Sequence, residues 1–263
     1  MMKSLLIPFL WAALAPSGGA FLISQHPSKP VCTTCRVGAS STPTTSISAS
    51  TTPDNDVLSS PIFINESVEL NKRPASALSS EEMILIAKRF LASNGGLGGD
   101  PAMLSKSFTF EGPVVGPLPK EEFIKAIGSV DFNAAFPDFT SQFYGFHVDP
   151  FEGDRVWYTA RGKGKNTGPL VPFVPEKSGT GNMVVNPPQV CSITIDHSSG
   201  LITKYTIGYV VDRTVGNTGG LGGLYGILYA LGRPLPFPEA NPWQKSFKYT
   251  LFQKIGGLLQ KLQ

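Results

Sequence analysis

The stretch that decides the fold is residues 140–163, TSQFYGFHVDPFEGDRVWYTARGK. Apolar and polar side chains alternate on both sides of a turn at 150–153, which is the pattern of two half-buried strands joined as a hairpin. The same alternation returns twice downstream, on either side of a turn at 197–200. We therefore predict four long antiparallel strands, at 140–148, 154–163, 190–196 and 202–212.

The chain before these strands has a helical period instead. Residues 79–82, Ser-Ser-Glu-Glu, combine an N-cap with acids in a first turn, and apolar residues at helical spacing follow over 84–91. Two further helices are predicted, at 101–105 and from Pro119 onward, with a short strand at 108–110 between them. Helices first and consecutive paired strands afterwards predict an α+β fold.

Four segments carry a family resemblance. In order and spacing they are similar to segments of the SnoaL-like polyketide cyclases, within the nuclear transport factor 2-like superfamily. The segments are AFPDF at 135–139, DRVWYTARG at 154–162, GKNTG at 164–168 and SGLITK at 199–204. The resemblance implies a cone-shaped, curved antiparallel sheet around an apolar cavity, closed at one end by the N-terminal helices. It places a SnoaL-like domain at 79–214, after a linker at 54–78.

The same resemblance implies cofactor-independent proton transfer, as cyclisation, isomerisation or dehydration. Asp212, after the last strand, matches the family's general acid/base, although an aspartate that pairs with an arginine or caps a turn would look the same in sequence. Asn166 stands where the cyclases have histidine; it can orient a carbonyl but cannot titrate near neutral pH. His147 is a third catalytic candidate, and its strand position allows it to face either the cavity or the outer surface.

Aromatic residues along the predicted strands indicate what the cavity would bind. Phe143, Trp157 and Tyr209 are expected near it, with Arg161 as a polar ligand-binding residue that could also pair with Asp212. A wall of rings favours a small, flat or polyene-like apolar molecule. A rival function from another class is a non-catalytic binding or assembly module that holds a protein or membrane partner. Both functions predict a homodimer through the open face of the sheet.

The first 53 residues have the features of a targeting sequence. Residues 1–20 combine a basic start, an apolar run and small residues before Ala20, as a signal peptide does. Residues 21–53 contain no acid and many Ser and Thr, which is transit-peptide chemistry. With Phe21 at the junction, the leader resembles the bipartite plastid presequence of diatoms and related algae. We therefore expect import into a plastid by the secretory route.

Charge and cysteine content exclude several functions. All 19 acidic residues lie at or after Asp54, together with 19 of the 22 basic residues, so the chain from there on is neutral. A neutral body argues against nucleic-acid binding and against a polybasic membrane anchor. Cys32 and Cys35 form a single CxxC inside the leader, which does not make a metal site. We predict neither a metal nor a cofactor.

The C-terminal extension, 215–263, has no counterpart in the family. Residues 219–232, GGLGGLYGILYALG, predict a small-residue helix packed on the sheet or on a second subunit. Residues 245–262 form one apolar helical stripe, with lysines at other positions. We expect this helix to dock on its own domain or cap the cone; peripheral contact with a membrane and a partner-binding surface remain alternatives.

Overall fold

The computed structural model describes residues 60–94 and 97–260. The chain divides into two compact units, Met1–Ile64 and Asn65–Gln263. In the first unit, the described part is a short turn closed by a hydrogen bond from the Phe63 N–H to the Ser60 carbonyl. The predicted signal peptide, the transit-like segment and the Cys32–Cys35 pair lie outside the described residues. The described helices and strands all belong to the second unit.

Two helices open the second unit. Helix α1 spans Glu66–Leu70 and α2 spans Ser80–Ala92. The predicted N-cap is present, and Ser79 and Glu82 form a capping box at the start of α2, because each side chain bonds the other residue's backbone N–H. Residues 66–78 differ from the predicted linker: they contain α1, and the Arg73 guanidinium donates to the Gly153 carbonyl at 3.3 Å.

The next elements alternate between strand and helix. Strand β1 (Leu104–Glu111) pairs with the two-residue β2 (Leu118–Pro119), which leads into α3 (Lys120–Gly128) and α4 (Phe132–Ala135). The helix predicted at 101–105 is wrong beyond residue 103. A 3-10 turn covers Pro101–Met103, and Ser105 already lies in β1, because this part of the chain pairs with the last strand of the sheet.

The four predicted long strands are present. They are β3 (Thr140–Val148), β4 (Arg155–Lys165), β6 (Gln189–Ile195) and β7 (Ile202–Val210), and each is antiparallel to its neighbour. The order across the sheet is β2-β1-β7-β6-β4-β3, with β1 parallel to β7. The sheet curls strongly, so the α+β fold with a curved, cone-like sheet and N-terminal helices is confirmed.

The core lies between the sheet and helices α2 and α3. We call the face of the sheet that packs on these helices the inner face and the opposite one the outer face. Val156 and Tyr158 of β4 and Cys191 and Ile193 of β6 are buried on the inner face. Since side chains alternate along a strand, Trp157 and Ser192 belong to the outer face.

A second, smaller core joins the C-terminal extension to residues 169–188, the segment between β4 and β6 that we call the insertion. The insertion after β4 contributes Leu170, Val174 and strand β5 (Met183–Val185), which pairs with β4. Helix α5 (Gly223–Ala230) packs against them through Ile227 and Leu228. The predicted small-residue helix therefore packs on its own domain, on an insertion rather than on the main core.

The last helix, α6 (Phe247–Gln260), follows a 3-10 turn at Pro238–Ala240. None of its described residues is buried. The expectation that this helix docks on its own domain or caps the cone is therefore wrong, and its apolar side chains face solvent in the single chain.

Candidate functional site

Aromatic rings occupy the inside of the cone. Tyr205 lies 5.1 Å from Phe90 and 6.1 Å from Phe123, centroid to centroid, and Tyr158 lies 5.3 Å from Phe146 and 5.8 Å from Phe143. Edge-to-face contacts such as those of Tyr205 with Phe90 and Phe123 are a preferred aromatic geometry. The space that the resemblance assigned to a central cavity is thus taken by the protein's own side chains.

Three polar groups lie within this apolar interior. The Tyr158 hydroxyl donates to the Tyr205 hydroxyl at 3.4 Å, and the Cys191 thiol lies beside Tyr158. Burial raises the pKa of both tyrosines and raises the pKa of Cys191 to about 11. All three groups are therefore neutral at physiological pH, and none can act as a base there.

A groove of about 510 Å³ opens at the side of the cone, between α2 and β3. Its volume is within the range of small-molecule sites, which run from about 300 to 1,000 Å³. Leu91 and Ala92 of α2 form one wall, and three phenylalanines form most of the other. The lining residues are Lys88, Leu91, Ala92, Phe139, Thr140, Ser141, Phe143 and Phe146.

Local sequence explains the floor of the groove. Phe139 lies flat against β4 at two glycines: a Cβ atom at Gly162 would come within 2.6 Å of its ring, and one at Gly164 within 2.8 Å. Asp138 fixes the end of the same segment by accepting a hydrogen bond from the Lys165 N–H at 2.8 Å. The sequence PDF followed by RGKGK is thus what holds Phe139 in the groove.

Lys88 is the one charged side chain among the eight that line the groove. Its ammonium group lies 5.1 Å from the centroid of the Phe146 ring, in a cation–π contact. The side chain is exposed, so the ammonium can leave the ring without a desolvation penalty. It can donate hydrogen bonds to a carbonyl or carboxylate at the rim of the groove.

Asn166 is buried and holds loops together. Its Nδ2 donates to the carbonyls of Ala135 and Gly168, at 3.1 and 2.9 Å, and its Oδ1 accepts from the backbone N–H and the hydroxyl of Thr180. Both amide hydrogens and both lone pairs are used. The predicted role of orienting a substrate carbonyl is therefore wrong, because the side chain has no hydrogen-bonding capacity left.

Asp212 lies in an exposed turn just after β7. Its Oδ1 accepts from the Thr214 hydroxyl at 2.6 Å and from the Thr214 N–H at 2.9 Å. These two bonds, with a smaller contribution from the positive charge of Arg161, hold the pKa of Asp212 below its ordinary value. A general base in an apolar pocket would have a raised pKa, so this environment is the opposite of the one that the resemblance implied.

The other predicted residues separate between the two faces of the sheet. Phe143 lines the groove on the inner face. His147 is opposite Trp157 in the β3–β4 register, so both lie on the outer face. Tyr209 is opposite Val190 in the β6–β7 register. Because Val190 alternates with the inward Cys191, Tyr209 lies on the outer face as well. Arg161 alternates with the inward Ala160 and belongs to the outer face as well. The expectation that Trp157, Tyr209 and Arg161 line the cavity is wrong.

Seven of the eight groove residues were not predicted as site residues: Lys88, Leu91, Ala92, Phe139, Thr140, Ser141 and Phe146. The alternation of 140–148 already assigns Ser141 and Phe143 to one face, so the β3 wall could have been found from sequence. Lys88 could not have been found from sequence, because the position of a lysine on the exposed side of an amphipathic helix does not indicate which strand it faces.

Within the described parts of the chain, no three His, Cys, Asp or Glu side chains are grouped so that they could hold a metal ion. In the same residues, no helix combines the length and apolar character needed to cross a bilayer.

Comparisons with known proteins give weak similarities. No family model matches the chain, and no curated protein does. Among solved structures, one described as a SnoaL-like polyketide cyclase from Jannaschia sp. CCS1 is 18% identical, with a TM-score of 0.40 over 62% of this chain and 98% of the other. An LEH-like epoxide hydrolase from M. tuberculosis is 15% identical, with a TM-score of 0.38 over 58% and 94%.

Proposed function

We propose that this protein is a binding module for a small apolar molecule, held in the groove between α2 and β3. The observation that carries the proposal is the lining of that groove: Leu91, Ala92, Phe139, Phe143 and Phe146 supply apolar surface, with polar groups confined to a few positions. Concave, mostly apolar sites with a small number of polar groups are typical of ligand pockets.

The polar groups suggest the kind of molecule. Lys88 and Ser141 can donate hydrogen bonds to a carbonyl or carboxylate, while the phenylalanines can contact a flat or extended apolar body. The proposed ligand is therefore an apolar compound with an oxygen acceptor group at one end, such as a fatty acid or an apocarotenoid.

Binding without turnover fits the described residues better than proton-transfer catalysis. Among them, the buried polar side chains are serine, threonine, asparagine and glutamine, and none is a carboxylate or an imidazole. Proton abstraction next to a carbonyl needs a positioned base with a pKa near the working pH. Asp212 and His147 are exposed and lie outside the groove, so neither is suited to that role.

The plastid remains the proposed location, because the leader combines a signal-like segment with an acid-free, Ser/Thr-rich one. A fusion of residues 1–53 to a fluorescent protein, expressed in a diatom, should accumulate in the plastid. Retention in the secretory pathway would contradict the proposal, and an Ala20/Phe21 double substitution, which should block plastid entry, is the control.

We also propose a homodimer through the outer face. Tyr144 and Tyr209 are 46% and 44% exposed there, and the Lys204–Glu111 ion pair adds one charge of each sign, so the face can match itself around a twofold axis. Sedimentation should give a dimer for the native chain and a monomer for Tyr209→Glu. A native chain that is monomeric at micromolar concentration would contradict the proposed homodimer.

Two neighbouring residues of β3 test the groove. Ser141 lines the groove, whereas Gln142 is exposed on the outer face of the same strand. Ser141→Trp should fill the groove and weaken binding of a fluorescent fatty acid about tenfold or more, while Gln142→Trp should bind like the native chain. Equal affinities in the two variants would place the ligand elsewhere and contradict the proposal.

Lys88→Met, in the same fatty-acid binding assay, tests whether the ammonium group recognises the polar end of the ligand. The variant should lose affinity for a fatty acid but not for the corresponding alcohol, because only the carboxylate gains from the ammonium charge. If both ligands weaken equally, Lys88 contributes packing rather than recognition of the acceptor group.

A further inference from the structure

Helix α6 presents apolar side chains to solvent along its whole length. Phe247 is 82% exposed, Phe252 74%, Leu258 62% and Leu259 59%. At 100° per residue these side chains, with Leu251 and Ile255, fall within an arc of about 140° of the helix. A contiguous apolar surface of this kind is rarely left uncovered on a soluble protein.

The net charge of the chain changes sign just before α6. Residues 54–239 contain 15 basic and 19 acidic residues, a net charge of −4, whereas residues 240–263 contain four lysines and no acid, a net charge of +4. The neutral total of the body conceals this separation. A basic amphipathic segment is a feature of helices that lie on anionic surfaces.

The position of one lysine indicates that a lipid surface, rather than a protein partner, covers the apolar side of α6. Lys248 is exposed and lies inside the apolar arc, three residues before Leu251 and four before Phe252. Lysine is depleted at the centre of protein interfaces, because its ammonium must be desolvated there. At a bilayer surface the stem stays in the apolar layer and the ammonium reaches the headgroups.

The chain leading into α6 has the same character. Trp243 is 62% exposed; the Arg213 guanidinium lies 5.2 Å above its ring, and the Tyr249 ring is 6.5 Å away. Lys245 lies 5.9 Å above the Tyr249 ring. Exposed Trp and Tyr accompanied by cations are the side chains that favour the headgroup level of a bilayer.

From these observations we propose that α6 docks the protein on the surface of an anionic membrane. The helix lies in the plane of the surface, with the Phe247–Leu259 arc in the acyl boundary and the lysines against lipid phosphates. The 14 residues of α6 are too few to cross a bilayer, which requires about 20. The inference is independent of what the groove binds.

Vesicle co-sedimentation of the full chain tests the proposal. Vesicles of phosphatidylcholine with 40% phosphatidylglycerol should bind the protein, and pure phosphatidylcholine should bind it at least about fivefold more weakly. Phe252→Asp should reduce binding about tenfold or more. The matched control is Phe151→Asp, which changes a phenylalanine that is 71% exposed in the β3–β4 turn. Lys254→Glu should also weaken binding to the anionic vesicles. Its control is Lys177→Glu, which changes an exposed lysine of the insertion and should bind like the native chain.

Hydrogen exchange followed by mass spectrometry locates the contact, so that binding through the leader is not mistaken for it. Peptides within 247–260 should gain protection when anionic vesicles are added. No added protection there, or equal vesicle binding by Phe252→Asp and Phe151→Asp, would overturn the proposal. Protection that rises with protein concentration in the absence of vesicles would overturn it as well, and would assign the face to a second copy.

Discussion

Nδ2 of Asn166 donates to the carbonyl of Ala135 at 3.1 Å, which ties the end of β4 to the segment that precedes β3. The second hydrogen of the same amide goes to Gly168, and the amide oxygen accepts from Thr180 in the insertion. One buried side chain therefore joins three segments of backbone. A position at which the family resemblance implied chemistry has a structural role in this chain.

Asn166→Ala should lower the free energy of unfolding by about 3 kcal/mol, because it leaves buried carbonyl and N–H groups without partners. Urea denaturation measures the change. Asn182→Ala is the control, since Asn182 is exposed and its side chain donates one bond, to the Leu231 carbonyl, so its loss should be about 0.5 kcal/mol. Similar losses in both variants would refute the role assigned to Asn166.

Asp149 should make stability depend on pH. Partial burial raises its pKa, but hydrogen bonds from the Glu152 N–H, the Trp157 indole and the Phe151 N–H, with the Arg155 charge, outweigh burial and leave the pKa below its ordinary value. The stabilisation is thus complete above the unfolded pKa and is lost as the pH falls through the folded pKa. Asp149→Asn should cost about 1 kcal/mol at pH 7 and less at pH 3; a loss that does not vary with pH would contradict this.

Cys191 should resist thiol reagents in the folded protein. The thiol is buried, and burial raises its pKa to about 11, so at pH 8 only about one molecule in a thousand carries a thiolate. Alkylation should be at least about 100-fold slower than in urea. Peptide mapping separates Cys191 from Cys32 and Cys35. Equal rates with and without urea would mean that the interior around Tyr158 is open.

Asp212→Asn and His147→Gln should leave ligand affinity unchanged, because neither side chain lines the groove. Both variants should also match the native chain in any turnover assay with the bound compound. A loss of turnover with retained binding in Asp212→Asn alone would restore the catalytic function implied by the family resemblance.

The sequence was informative where one period was repeated over many residues. The alternation of 140–163 and its two downstream repeats predicted all four long strands, and the Ser79–Glu82 spacing predicted the start of α2. Both patterns depend on local physics, namely the pleat of a strand and the orphan N–H groups of a helix. The same alternation puts Phe143 on the inner face, where it lines the groove.

The remaining site residues depend on contacts that no local pattern encodes. Whether Trp157 faces inward depends on which neighbours of β4 are buried, and a shift of one residue reverses the answer. Asn166 and Asp212 were assigned by resemblance, but their partners, Ala135 and Thr214, decide what each side chain can do. The exposure of α6 could not be predicted, because an apolar stripe looks the same whether it packs on a domain or on a membrane.

The measurement that tests the central claim most directly is native mass spectrometry, with extraction of bound compounds, on the protein purified from cells that make it. We expect the native chain and Gln142→Trp to carry one apolar molecule per chain, and Ser141→Trp to carry none. An empty native protein, or a Ser141→Trp variant that retains the compound, would contradict the claim that the groove between α2 and β3 is a ligand site.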